Sequence, residues 1–155
     1  MSGRRLNMAD DGDLDFRVKL RWDGKTGGTV YIDGRPRLRL DMPVDFGGGG
    51  KYPCPDEIFL SSIAGCLLTT FLYFKAKLHV QVEKFEVSVE GILGVRADGY
   101  EVERVDAHLF IESRDVDEAN LRRCVELTRK YCHITRTLEK AFPIRILEEI
   151  RTINL

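Results

Sequence analysis

The sequence has almost no excess of charge of either sign, because 24 Lys and Arg residues face 25 Asp and Glu residues. A nucleic-acid-binding protein usually shows a basic excess, so this balance argues against that class. Residues 1–13 contain no apolar stretch of the kind that a secretory signal requires, so we expect a cytoplasmic protein. The longest apolar-rich run, residues 58–74, includes two serines and two threonines and is marginal for a membrane span. It predicts a buried helix and no membrane partner.

Close pairs of metal-ligating residues are also scarce. The four cysteines (Cys54, Cys66, Cys124 and Cys132) form no C-x-x-C pair, and the one close combination is Cys132 next to His133. Zinc sites usually place their ligands a few residues apart, and adjacent residues seldom ligate one ion well. A secreted disulfide framework is disfavoured because no secretory signal is evident. We therefore expect no metal site.

The first half of the chain shows the period-two alternation of strands. Residues 1–14 are polar and are expected to form a mobile tail, followed by a single domain over residues 15–155. Alternating apolar residues predict strands near 16–23, 29–32 and 37–42, with one face of the first strand buried. Asp33-Gly34 is a strong hairpin signal. These features predict an antiparallel meander, and the glycines of the following loop predict a flexible flap.

A long apolar helix should follow. Pro55 suits the first helical position, and the pattern predicts a helix to about Lys77 that is apolar on most of its circumference. Strands are predicted near 85–90, 105–111 and 143–147, and helices near 115–130 and 132–140. This order predicts an α+β fold with a meander, a long buried central helix and a second antiparallel sheet with flanking helices.

Two cysteine-containing segments carry a family resemblance. Residues 55–66, Pro-Asp-Glu-Ile-Phe-Leu-Ser-Ser-Ile-Ala-Gly-Cys, resemble the helix motif of the osmotically inducible protein C and organic hydroperoxide resistance family (OsmC/Ohr). Residues 131–138, Tyr-Cys-His-Ile-Thr-Arg-Thr-Leu, resemble its second motif, in which Pro stands where this chain has His133. The two cysteines are 66 residues apart, which is close to the family's spacing. The order of strands and helices fits from about Phe16 to Ile150.

The resemblance implies an OsmC-like fold and thiol-dependent hydroperoxide reductase activity on organic hydroperoxides, as part of an oxidative stress response. Cys66 would attack the peroxide and become a sulfenic acid, and Cys132 would resolve it as a disulfide. An external dithiol, lipoyl or thioredoxin-type reductant would then restore the thiols, and the resemblance implies that no metal or organic cofactor is required. The resemblance also implies an Arg that stabilises the thiolate and an acidic residue that holds the Arg. Arg39 fits the first role with Arg37 in reserve, and Asp56 fits the second with Glu57 in reserve.

Helix geometry adds an argument for a homodimer. Ten helical residues rise about 15 Å, so Asp56 cannot touch Cys66 within one straight helix. If both serve one site, a second chain must contribute. A helix that is apolar all round also needs more cover than the other elements of a small domain provide. We expect an intertwined homodimer with an interface above about 2,000 Å².

Two other functions remain open at this point. The same fold could serve as a non-catalytic ligand-binding or stress protein, with Cys66 an inert buried thiol. Cys132 and His133 could instead form the nucleophile and base of a cysteine hydrolase. A stoichiometric loss of thiols with peroxide distinguishes the first alternative from the reductase, and an acyl adduct on Cys132 identifies the hydrolase.

Overall fold

The computed structural model describes residues 14–114 and 118–153, so the predicted tail lies outside the described residues except for Leu14. The chain forms two compact units that divide between Glu57 and Ile58. The single domain over residues 15–155 stays a prediction.

The first unit contains the predicted meander. Its strands pair antiparallel in the order β1-β2-β3, and the tight turn between β2 and β3 is made by Asp33 and Gly34. Both turn residues have positive φ, 52° and 73°, as a type I′ hairpin turn requires. The strands are β1 (Lys19–Trp22), β2 (Gly27–Ile32) and β3 (Arg35–Asp41).

The apolar face of the β1 segment is exposed in the single chain. Phe16, Val18, Leu20 and Trp22 are between 55% and 73% exposed. The prediction that this face is buried is therefore wrong for one chain alone. Alternation shows correctly that these side chains share a face, but it does not show what covers that face.

The glycine-rich loop after β3 is a tight turn built on Asp41 rather than a loose flap. The Asp41 carboxylate is buried and accepts hydrogen bonds from the backbone N–H groups of Met42 and Lys51 at 2.9 and 3.1 Å. A Cβ atom on Gly48 would lie 1.7 Å from the Met42 carbonyl oxygen, so only glycine fits there. The hydrogen bonds, led by that of the Thr26 side chain, lower the pKa of Asp41.

The second unit is a three-stranded sheet with helices packed on it. Its strands have the order β4-β5-β6, with β4 and β5 forming a long antiparallel hairpin. The elements are α1 (Pro55–Lys77), which begins just before the unit, β4 (Lys84–Arg96), β5 (Gly99–Ser113), α2 (Glu118–Tyr131), α3 (His133–Leu138) and β6 (Ile144–Thr152).

The second sheet is mixed, so its prediction as antiparallel is wrong for the last strand. β6 runs parallel to β5, with Val105 opposite Ile144 and Ser113 opposite Thr152. The connection between these strands contains α2 and α3, and a crossover of this kind returns the chain to the end where β5 began. The strands and helices and their order along the chain were predictable from periodicity, but the direction of β6 was not.

The core of this unit lies between the sheet and helices α1 and α2. Alternate residues of β5 supply one side, with Val105, Ala107, Leu109 and Ile111 at most 1% exposed. Helix α2 contributes Leu121, Cys124 and Val125. The ring of Phe71 on α1 stacks on that of Phe85 on β4, with centroids 4.0 Å apart. These contacts fix α1 against the sheet.

Helix α1 buries one face in the single chain rather than its whole circumference. Its buried residues are Ile63, Cys66, Leu67 and Phe71. By length and composition it could also cross a membrane, with a mean hydropathy of 1.6. In the single chain, 22% of this apolar window is buried, and Ile63, Leu67 and Phe71 are the fully buried residues of the helix.

Candidate functional site

The two predicted cysteines meet in the second unit. Cys66 lies in the middle of α1, and Cys132 stands between the end of α2 and the start of α3. Their Sγ atoms are 3.0 Å apart, and the Cys132 thiol donates toward Cys66. Cys66 is 7% exposed and Cys132 is fully buried. All four cysteines are free, so the pair is in its dithiol form.

The surroundings of Cys132 favour its protonated form. Burial raises the pKa of the Cys132 thiol, and its hydrogen bond to Cys66 raises the pKa further. Hydrogen bonding with Thr135 acts in the opposite direction but is the smaller effect. A thiol that keeps its proton can donate to a neighbouring sulfur. Cys132 is therefore arranged as the donor of the pair and Cys66 as the acceptor.

His133 contacts Cys66 and not its sequence neighbour. Its Nδ1 atom lies 3.7 Å from Cys66 Sγ, within hydrogen-bond range for sulfur. From the sequence, His133 was a candidate base for Cys132 or a departure from the family's Pro, and its contact with Cys66 was not predicted. The signal in the sequence was the position of His133 directly after Cys132 at the start of α3. Two consecutive side chains at such a position can both contact the same residue, which here is Cys66.

The other two cysteines have structural surroundings. Cys124 is fully buried, its thiol donates to the carbonyl oxygen of Phe71 at 3.6 Å, and burial raises its pKa to about 11. It is the packed helix residue that the sequence indicates. The half-buried Cys54 directly precedes α1, and its backbone N–H donates to Glu57 Oε2 at 2.7 Å.

The predicted acidic residues lie in the first turn of α1. Glu57 accepts the hydrogen bond of the residue that precedes the helix, as the acidic residue of a capping box does. Asp56 is exposed. Carboxylates in this turn also favour the helix through its dipole. Their predicted action on a thiolate-stabilising Arg stays a prediction.

The predicted Arg39 lies on β3 and is held by residues of the first unit. Its guanidinium carbon is 4.2 Å from the centroid of the Tyr52 ring, and the guanidinium also donates to the Tyr52 hydroxyl. Asp23 is 3.8 Å away, and the Arg39 side chain is 47% exposed. Arg37 is two residues earlier on the same strand and is exposed. The role of either residue toward Cys66 stays a prediction.

A shallow surface groove lies in the second unit. It has a volume of about 310 Å³ and is lined by Thr69, Thr70, Tyr73, Phe74 and Tyr131. Thr69 and Thr70 follow Cys66 by one helical turn, and Tyr131 precedes Cys132. Thr and Tyr hydroxyls next to aromatic rings suit a ligand with both polar and apolar parts. Within the described ranges, no three His, Cys, Asp or Glu residues are grouped to hold a metal ion.

Comparisons with known proteins agree on one family. The family model described as "OsmC-like protein" matches residues 48–147, a range that includes both cysteines of the pair. An uncharacterised protein of Bacillus subtilis, YmaD, is 22% identical over 132 residues, which span 82% of this chain and 88% of YmaD.

Solved structures show the same fold. The OsmC-like protein of Mycoplasma pneumoniae has a TM-score of 0.74 at 20% identity, covering 90% of this chain and 98% of its own. An organic hydroperoxide resistance protein OsmC of Legionella pneumophila has a TM-score of 0.68 at 17% identity, covering 87% and 96%. The predicted family and α+β fold are thereby confirmed, and the chain belongs to the family of OsmC-like proteins.

Proposed function

We propose that this protein is a thiol-dependent hydroperoxide reductase in which Cys66 is the peroxide-reacting residue and Cys132 the resolving residue. The observation that carries the proposal is the 3.0 Å distance between two free sulfurs from distant parts of the chain. Family members named for organic hydroperoxide resistance support the same chemistry. A reductase needs this juxtaposition, whereas a ligand-binding protein does not.

The reaction requires no group beyond the two thiols, a hydroperoxide and a dithiol. The Cys66 thiolate attacks the outer peroxide oxygen, the O–O bond breaks, and an alcohol leaves once it takes a proton. The Cys132 thiol then attacks the sulfur of the Cys66 sulfenic acid, which forms the disulfide and releases water. The sulfurs need to approach by only about 1 Å to reach the length of a disulfide bond. An external dithiol reduces the disulfide and is itself oxidised.

The order of the two cysteines follows from their surroundings. The nucleophile attacks as a thiolate, so a thiol that is held in its protonated form suits the resolving role. Burial and the hydrogen bond to Cys66 raise the pKa of Cys132, so Cys132 keeps its proton while Cys66 reacts. Once Cys66 is oxidised, the same buried thiol is already in contact with the sulfur it must attack.

Other parts of the proposal extend beyond the cysteine pair. Arg39, held by Asp56 or Glu57, would stabilise the thiolate, and a second copy of the chain would cover the exposed apolar face of the β1 segment. The groove beside Tyr131 would admit the hydroperoxide.

Cysteine variants test the assignment directly. Cys66→Ser should abolish consumption of cumene hydroperoxide with dithiothreitol as the reductant, since it removes the attacking sulfur. Cys132→Ser should complete one oxidation and then stall with over-oxidised Cys66. Cys124→Ser is the matched control, because this thiol is equally buried and has no sulfur partner. Near-native turnover in folded Cys66→Ser protein would refute the proposal.

A further inference from the structure

The side chain of His133 can accept the proton of Cys66, which neither Cys132 nor an arginine can do. Before Cys66 can attack as a thiolate, a base must take its proton. Arginine stabilises negative charge but stays protonated in proteins, so it cannot accept that proton. Cys132 cannot accept it either, since its own thiol is the donor toward Cys66. The imidazole nitrogen 3.7 Å from Cys66 Sγ can accept it.

Local structure brings the base and the resolving thiol to the same sulfur. Cys132 precedes α3 and His133 is its first residue. The two consecutive side chains contact Cys66 from distances of 3.0 and 3.7 Å. The His133 carbonyl oxygen accepts a hydrogen bond from the Thr137 hydroxyl at 2.8 Å, which helps to fix this turn. The positions of the two groups are therefore set together by one short helix.

We propose that His133 is the general base and acid of the Cys66 reaction, an inference that rests on the proposed reductase function. Neutral His133 takes the Cys66 proton at Nδ1 and leaves a thiolate–imidazolium pair. The thiolate attacks the hydroperoxide, and the O–O bond breaks with its electron pair on the leaving oxygen. The imidazolium returns its proton to that oxygen and releases an alcohol. Cys66 ends as a sulfenic acid and His133 as a neutral imidazole, so one proton is moved and none is lost.

The thiolate would also have two donors. A hydrogen bond to the charged form of a group favours that form. The Cys132 thiol and the imidazolium would donate to Cys66 from two sides, and both contacts use atoms already in range.

The experiment compares His133 variants in a Cys132→Ser background, where Cys66 reacts once and is not resolved. We expect His133→Asn and His133→Gln to slow the single oxidation by cumene hydroperoxide about 100-fold, the usual contribution of a general acid–base group. The ultraviolet absorbance of the Cys66 thiolate at neutral pH should also fall. Alkylation of Cys66 by iodoacetamide should slow about tenfold or more, because an unassisted thiol is only a few per cent thiolate there.

His79→Asn is the matched control. His79 is an exposed histidine with a φ of 55°, a conformation that Asn tolerates, and it follows α1 rather than the cysteine pair. His79→Asn should keep the oxidation rate, the thiolate absorbance and the alkylation rate of the parent. Circular dichroism of the His133 variants verifies their fold.

Oxidation by hydroperoxide and alkylation by iodoacetamide test the reductase function and the role of His133 separately. If the Cys132→Ser parent does not react with hydroperoxide, the reductase function is refuted, and iodoacetamide alkylation still decides the role of His133. If both His133 variants keep oxidation and alkylation within about twofold of the parent, His133 is not the base and the inference is overturned.

Discussion

A glycine on α1 allows the proposed homodimer to be tested through the sign of a stability change. In the described residues of one chain, a Cβ atom built on Gly65 has nothing within 4 Å. Its helical neighbours at positions 61, 62, 68 and 69 are exposed. If this face stays open to water, replacing glycine by a good helix former stabilises the helix by about 0.8 kcal/mol. For a chain of this size, that raises Tm by roughly 2 °C.

If a second helix packs on this face of α1, replacing Gly65 by a larger residue lowers the stability instead of raising it. Gly65→Leu would then insert a large side chain into a close contact, and overpacking typically costs about 1–3 kcal/mol. Since we propose an intertwined dimer that covers α1, we expect Gly65→Leu to lower Tm and to shift the dimer toward monomer. Ala119→Leu, at an exposed position of α2, controls for the effect of an added surface leucine.

The assay is thermal unfolding over a hundredfold range of protein concentration, combined with sedimentation velocity. An obligate dimer must melt at a higher temperature as its concentration rises. A wild-type protein that sediments as a monomer at micromolar concentration would refute the reasoning. A higher Tm for Gly65→Leu at every concentration would refute it as well.

Three further outcomes are expected. Arg39→Ala should slow the alkylation of Cys66 and Arg39→Lys should restore it in part, whereas an effect of Arg37→Ala alone would move the role to Arg37. Because the folded pKa of Asp41 is lowered, the stability it contributes is present above its ordinary value of 3.8 and is lost as pH falls through the folded value. Asp41→Asn should therefore weaken the acid dependence of the unfolding free energy in urea titrations; an unchanged profile would contradict this. Over-oxidised Cys66 should accumulate in Cys132→Ser under excess hydroperoxide, by mass spectrometry, and its absence would exclude Cys66 as the reacting thiol.

Local chemistry made much of the fold predictable. Asp33 and Gly34 indicated the hairpin because few other pairs accept positive φ at both positions. Pro55, followed by acidic residues, indicated the start of α1. Alternation along β5 gave its buried face, since Val105, Ala107, Leu109 and Ile111 all enter the core.

Features that depend on distant parts of the chain were less predictable. Periodicity gives the elements but not the direction in which β6 enters the sheet, which the α2–α3 crossover decides. The glycines of residues 47–50 suggest flexibility until the Asp41 carboxylate beneath them is known. The contact between His133 and Cys66 joins residues 67 positions apart, and its local signal is only that His133 follows Cys132 at the start of α3.

The cysteine pair itself came from the resemblance rather than from spacing. Composition and helix position alone favour an inert buried Cys66, because burial is the commonest fate of cysteine. Two motifs at the family's separation identified Cys66 and Cys132 as partners, and the 3.0 Å contact agrees with that pairing.

The most direct test of the account is to map the disulfide that forms with one equivalent of cumene hydroperoxide. We predict that each chain loses two thiols and that peptide mass spectrometry finds a Cys66–Cys132 crosslink, while Cys54 and Cys124 stay reduced. A protein that keeps all four thiols, or one that crosslinks Cys66 to Cys54 instead, would contradict the central claim.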